Sequence, residues 1–137
     1  MKKYLALYLI ALVCSLVARA EIIVIANHSV KAGDISKDDL RDVFTGSATM
    51  LKDGSRVTPI LLNNGAAQEE FLKVYIGRSD AAYRAGWRNL VFTGQGTMPK
   101  SLEGDAAVVE FVMNHPGAIG YIERSSPHAG VKTLAVR

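Results

Sequence analysis

Three stretches of this chain, Glu21 to Ala26, Val57 to Leu62 and Ala118 to Ile122, are apolar almost without interruption. A strand with one wet face alternates apolar and polar residues, so runs that do not alternate predict strands covered on both sides. Helical patterns fill the sequence between them. Strands separated by helices indicate an α/β fold, a mainly parallel sheet flanked by helices, with Val131 to Val136 as a fourth strand. Pro59 cannot donate to a sheet ladder, which places the second strand at an edge or delays its start.

The helices announce themselves through their ends. Ser36 precedes Lys37-Asp38-Asp39, where a hydroxyl can cap free amides and acids suit the positive end of the dipole. Leu40, Val43 and Phe44 give that helix an apolar face, and Gly46 ends it. Asp53-Gly54 marks a turn. Ala66 to Ile76 reads as one helix with Phe71, Leu72, Tyr75 and Ile76 on one side, closed by Gly77. Ser79 opens another, in which Tyr83, Trp87, Leu90 and Val91 form an amphipathic stripe. Ser101 is expected to open a third long helix with Val108, Phe111 and Val112 facing inward, stopped by Pro116-Gly117. The strand after it, Ala118-Ile119-Gly120-Tyr121-Ile122, carries small residues on one side. That nearly bare backbone is expected to line a cleft.

Residues 1–20 read as a signal peptide. Lys2 and Lys3 precede an apolar stretch from Tyr4 to Val17, and Ala18-Arg19-Ala20 offers small residues at a cleavage site. The apolar stretch is short for a bilayer, which takes about 20 residues. Export, with a mature domain of residues 21–137 that does not span the membrane, is the expectation. The whole chain has 16 Lys+Arg and 13 Asp+Glu. Without Lys2, Lys3 and Arg19 the two signs balance, so the basic excess belongs to targeting and is no nucleic-acid footprint. Cys14, the single cysteine, leaves with the same segment, so the mature domain has no disulfide or thiol chemistry.

Chemistry-bearing patterns are sparse. His28, His115 and His128 are scattered without ligand spacing, which gives no expected metal site. There is no Gly-x-Ser-x-Gly elbow, no P-loop and no complete dinucleotide loop, so no cofactor and no enzyme activity are expected. Gly94-Gln95-Gly96 reads as a flexible connection or cleft lip. Tyr83 and Trp87 at helical spacing read as core more readily than as a stacking platform, and Arg78, Arg84 and Arg88 as solvated helix charge. The best candidate is the strand-to-helix junction Asn63-Asn64-Gly65-Ala66-Ala67-Gln68. In an open α/β sheet ligands bind beyond the carboxyl ends of strands, where helix amides attract anions. The plainer alternative is a connecting turn with Asn63 or Asn64 as helix cap.

Several of these segments together resemble the phosphate-type periplasmic substrate-binding proteins. Asp39 to Gly46 resembles their LxxIFxG helix, Asp53 to Ile60 the turn and strand that follow, and Gly117 to Tyr121 their GAIGY strand. Trp87, Phe92 to Gly96 and Pro99 resemble the small single-lobe members. The resemblance implies a periplasmic-binding-protein-like lobe that binds phosphate or a similar small anion at Asn63 to Gln68. It also implies an envelope transporter or sensor as partner, or a homodimer that builds a cleft. Gly65, Ala67 and Gln68 stand where the family has its anion-contacting Ser, Thr and Arg. Each lost charge-assisted contact is worth about 1.5–3 kcal/mol, so binding is expected to be weak or to need an assembly. The alternative is a partner-binding or regulatory protein of the envelope that takes no solute.

Overall fold

A computed structural model describes residues 21–137; the signal-peptide reading and Cys14 lie outside the described residues. Six strands form one sheet in the order β2-β6-β1-β5-β3-β4. They are β1 (Ile22–Ala26), β2 (Asp34–Ile35), β3 (Thr58–Leu62), β4 (Lys100–Leu102), β5 (Ala118–Glu123) and β6 (Lys132–Val136). β3 is parallel to β4 and β5, and β2 is parallel to β6. β1 runs antiparallel to both of its neighbours, with Ile25 opposite Gly120 on one side and Thr133 on the other. The sheet is therefore mostly parallel, with one reversed strand at its centre.

Among the described residues there are four α-helices: α1 (Lys37–Phe44), α2 (Ala66–Phe71), α3 (Asp80–Phe92) and α4 (Asp105–Asn114). Successive side chains of a strand point to opposite faces, and β5 shows which helix lies where. A Cβ on Gly120 would meet Val108 of α4 at 2.9 Å. On the other face the Tyr121 ring stacks on Phe71 of α2, with centroids 3.8 Å apart and planes 3° apart, and Phe44 of α1 meets both rings edge-on. All five residues from Ala118 to Ile122 are buried. The bare face of this strand thus receives α4, which corrects the expectation that it lines a cleft: the missing side chains make room for a helix.

The caps at Ser36 and Ser79 form as the sequence indicates, accepting from the amides of Asp39 and Ala82. Other boundaries differ. Ser101 lies within β4, and α4 starts four residues later behind Gly104, whose φ of 82° leaves the strand path. The run from Ala66 to Ile76 is α-helical only to Phe71; Leu72–Ile76 widens into a π-helical turn. There Gly77, at φ 73°, bonds back to the Leu72 carbonyl at 2.6 Å. β3 is second from the edge. Thr58 donates to Gly117 on the β5 side, so Pro59 turns its ring nitrogen toward β4, where pairing begins only at Ile60. A missing donor costs nothing at a position with no acceptor opposite.

Candidate functional site

Because β3 and β4 are parallel, both of their carboxyl ends and the starts of α2 and α4 meet at one end of the sheet. Both helices start behind a glycine at positive φ, Gly104 and Gly65, with no side-chain cap bond, and they differ in what surrounds them. At α4 the Asp105 carboxylate accepts from the Glu123 amide at 3.0 Å and the Ser126 hydroxyl at 2.6 Å, so the acid of the first turn ties the helix start to the end of β5 and leaves its own amides uncapped. At α2 Gly65 is the N-cap residue, with φ 102° and ψ 176° and no side-chain bond to the helix amides. Only a glycine adopts that backbone without strain. The first intrahelical bond runs from Glu69 to Gly65. The amides of Ala66, Ala67 and Gln68 therefore precede the ladder.

The candidate residues divide at this point. Asn64, Gly65 and Ala66 are exposed and Asn63 is half-buried, so neither asparagine caps the helix and the loop faces outward. Ala67 and Gln68 turn inward, Gln68 to 1% exposure. The Gln68 side-chain carbonyl accepts from the Tyr121 hydroxyl, and that hydroxyl accepts from the Leu62 amide at 3.1 Å. Gln68 Nε2 donates to Asp80 at 3.3 Å. Arg84 pairs with Asp80 at 2.9 Å and reaches the Asn63 carbonyl with Nη2 at 2.9 Å. A chain of bonds through four elements thus fixes the outward loop from behind. This network was not visible in the sequence, where Arg84 reads as one of a solvated series.

Its electrostatics are close to neutral. Arg84 is the cation next to the loop, and Asp80 already holds its Nε. Glu69 adds an acid in the first turn of α2. What the junction offers an anion is backbone amides, with little attraction from side chains. The Tyr121 hydroxyl is held well above the usual phenol range by burial, and so stays a proton donor to Gln68 through any physiological pH.

The remaining sequence candidates settle elsewhere. Tyr83 and Trp87 are core residues, 1% and 5% exposed, and both donate to the Phe44 carbonyl at the end of α1. One edge of Trp87 also lines a groove of about 350 Å³ at the amino ends of β3 and β4, together with Gly46, Pro59, Gln95, Gly96 and Pro99. The Gly94–Gly96 connection does form a lip, but at the end of the sheet opposite Asn63–Gln68. His115 stacks on Phe111 at 3.7 Å and its Nδ1 donates to the Phe111 carbonyl, while Nδ1 of His128 donates to the Ser126 carbonyl. Among the described residues no three His, Cys, Asp or Glu side chains gather as metal ligands, and no helix is long and apolar enough to cross a membrane.

No protein-family profile matches the sequence. Solved structures do match the fold. An ABC-type phosphate transport receptor from Vibrio cholerae superposes with a TM-score of 0.63 at 13% identity, over 85% of this chain and 46% of its own. PstS from Borrelia burgdorferi gives 0.65 at 16% identity, over 85% and 47%. A putative phosphate ABC transporter substrate-binding protein from Clostridium perfringens, solved with bound phosphate, gives 0.62 at 19%, over 85% and 44%. This chain spans less than half the length of each. Residues 21–137 have the fold of a partial lobe of the phosphate-type substrate-binding proteins.

Proposed function

We propose that this protein is an exported, non-enzymatic solute-binding module of the periplasm that takes phosphate or a similar small anion weakly, or as one part of a larger assembly. The observation that carries the reading is the uncapped start of α2. Gly65 holds an outward loop at the carboxyl end of β3, and the amides of Ala66 to Gln68 precede the first helical bond. Asn63, Asn64 and Gly65 form the exposed lip, and Ala66, Ala67 and Gln68 supply amides from behind it. The Vibrio cholerae phosphate transport receptor and the Clostridium perfringens protein with bound phosphate support the choice of anion. The weakness follows from the site. Gln68 is committed to Tyr121 and Asp80, and Arg84 to Asp80 and Asn63, so among the described residues the cation at the loop is already paired. A second lobe, an envelope transporter, a sensor or a second copy would supply the missing donors.

Thermal melts of protein expressed from the whole chain, with phosphate, sulfate and acetate at tens of millimolar, test this. A ligand present at ten times its Kd raises stability by about 1.4 kcal/mol. A melting temperature that rises with phosphate supports the reading, and one indifferent to every anion defeats it.

A second reading, a partner-binding envelope protein without a solute, is favoured by Phe92. This side chain is 92% exposed at the end of α3, next to Val91 at 44%. Large apolar side chains left in water mark contact surfaces more often when they cluster. A photo-crosslinking residue at position 92, compared with one at Arg88, separates the readings: a single protein captured from 92 alone favours the partner.

A further inference from the structure

The reversed strand at the centre of the sheet has a chemical consequence. Ligand sites of α/β sheets gather beyond strand carboxyl ends, and β1 points its carboxyl end away from those of β3, β4 and β5. Ala26 lies opposite Ile119, and the Asn27 amide donates to the Ala118 carbonyl at 2.9 Å. The loop that leaves β1 therefore meets the turn that enters β5. A cleft of about 340 Å³ opens there, lined by Ser29, Lys31, Asp53, Ser55, Arg56 and Gly117 among others.

The cleft is built from three separate segments that are bonded to one another. The Gly117 amide donates to Ser29 Oγ at 2.8 Å, the Lys31 amide to Ser55 Oγ at 3.3 Å, and the Ser55 amide to Asp53 at 2.8 Å. Gly117 sits at φ 79°, and a Cβ on it would meet the Arg56 carbonyl at 2.7 Å. Backbone thus approaches backbone at the floor, which fixes the relative positions of Ser29 and Arg56. The polar groups are unequally committed. Bonds from the Ser55 amide and hydroxyl hold the Asp53 carboxyl below its ordinary range, with Lys31 adding to the effect. Ser29 Oγ accepts from Gly117 and keeps its own proton to give. Lys31 and Arg56 are exposed, and neither is among the ion pairs of the described residues.

We propose that this cleft is a second ligand site, separate from the α2 junction, which takes the phosphate or carboxylate group of a small anion. Arg56 presents a planar fork suited to two oxygens, Lys31 adds a point charge, and the Ser29 hydroxyl donates from the floor. The cleft has two cations against one tightly bonded carboxylate. It is therefore better furnished for an anion than the junction, where the one cation is already paired.

Residue-resolved amide NMR on protein expressed from the whole chain decides between the sites in one titration. The probes are inorganic phosphate, glycerol phosphate and succinate at low salt. Saturable shifts at Ser29, Lys31, Ser55, Arg56 and Gly117 are expected, and K31Q/R56Q should weaken them at least tenfold without altering the fold, since both side chains are exposed. A free ion and a phosphomonoester are told apart by which probe saturates first. Shifts confined to Asn64, Gly65 and Ala66 overturn the cleft and leave the junction reading standing. Shifts that survive K31Q/R56Q unchanged overturn the cleft as well, and shifts nowhere overturn both sites.

Discussion

The Tyr121 hydroxyl donates to the side-chain carbonyl of Gln68, although 53 residues separate them, and it accepts the last amide of β3 at Leu62. One oxygen thereby ties β5, β3 and α2 together under the exposed loop.

Removing that oxygen should loosen the loop before it loosens the sheet. Y121F keeps the ring stacked on Phe71 but leaves the Leu62 amide and the Gln68 carbonyl unpaired in the core. An unpaired buried group costs about 1–3 kcal/mol. The guanidinium midpoint should fall accordingly with little change in slope. Amides of Asn64 to Ala66 should exchange faster with solvent, measured by native-state hydrogen exchange.

Gly117 and Gly120, three residues apart, should respond differently to alanine. In G120A the new methyl meets Val108 Cγ1, a side-chain tip. Overpacking of this kind costs about 1–3 kcal/mol, and G120A/V108A should recover part of the loss. In G117A the obstacle is the Arg56 carbonyl, which is backbone, and φ is 79° as well. No trimming of a neighbour should rescue G117A, and its chemical denaturation midpoint should be the lower of the two.

Alkaline pH should unfold this protein through its buried phenols. Burial raises Tyr83 from 10.0 to about 12, and it raises Tyr121 in the same direction. With a folded pKa above the unfolded one, the native state holds the proton longer. The stability this represents is present below pH 10 and is lost as pH climbs through about 12. Thermal melts from pH 8 upward should show the decline, and Y83F, though weaker at the outset, should show a flatter one across the same window.

Phe92 should be dispensable for folding. It is 92% exposed, so F92S should move stability by no more than about 0.5 kcal/mol. Solubility of the purified protein should rise. A drop in melting temperature as large as that of G120A would mean that Phe92 packs against something in solution.

The parts of the fold legible in the sequence were those with local causes. Ser36 and Ser79 cap their helices because the amides they serve lie three residues away. The apolar runs became β1, β3 and β5 because a strand covered on both faces needs no alternation. β2 and β4, at two and three residues, have no period to read and exist only through β6 and β3. Ser101 has the local chemistry of a helix cap, but pairing with Leu61 draws it into β4. The candidate junction was legible as a strand end followed by a helix start. The inward turn of Gln68 was not, because its cause lies on β5. The cleft at Ser29, Arg56 and Gly117 could not be seen at all, since it is assembled from three distant segments.

The position of β1 also sets an order of events. Both of its partners, β5 and β6, come from the final twenty residues of the chain. Closing contacts across such separations costs chain entropy before any burial repays it, and it slows folding. β1 therefore has no strand to pair with until β5, Ala118–Glu123, has been made. β3 and β4 close a shorter loop, so one edge of the sheet forms while its centre still waits for a partner.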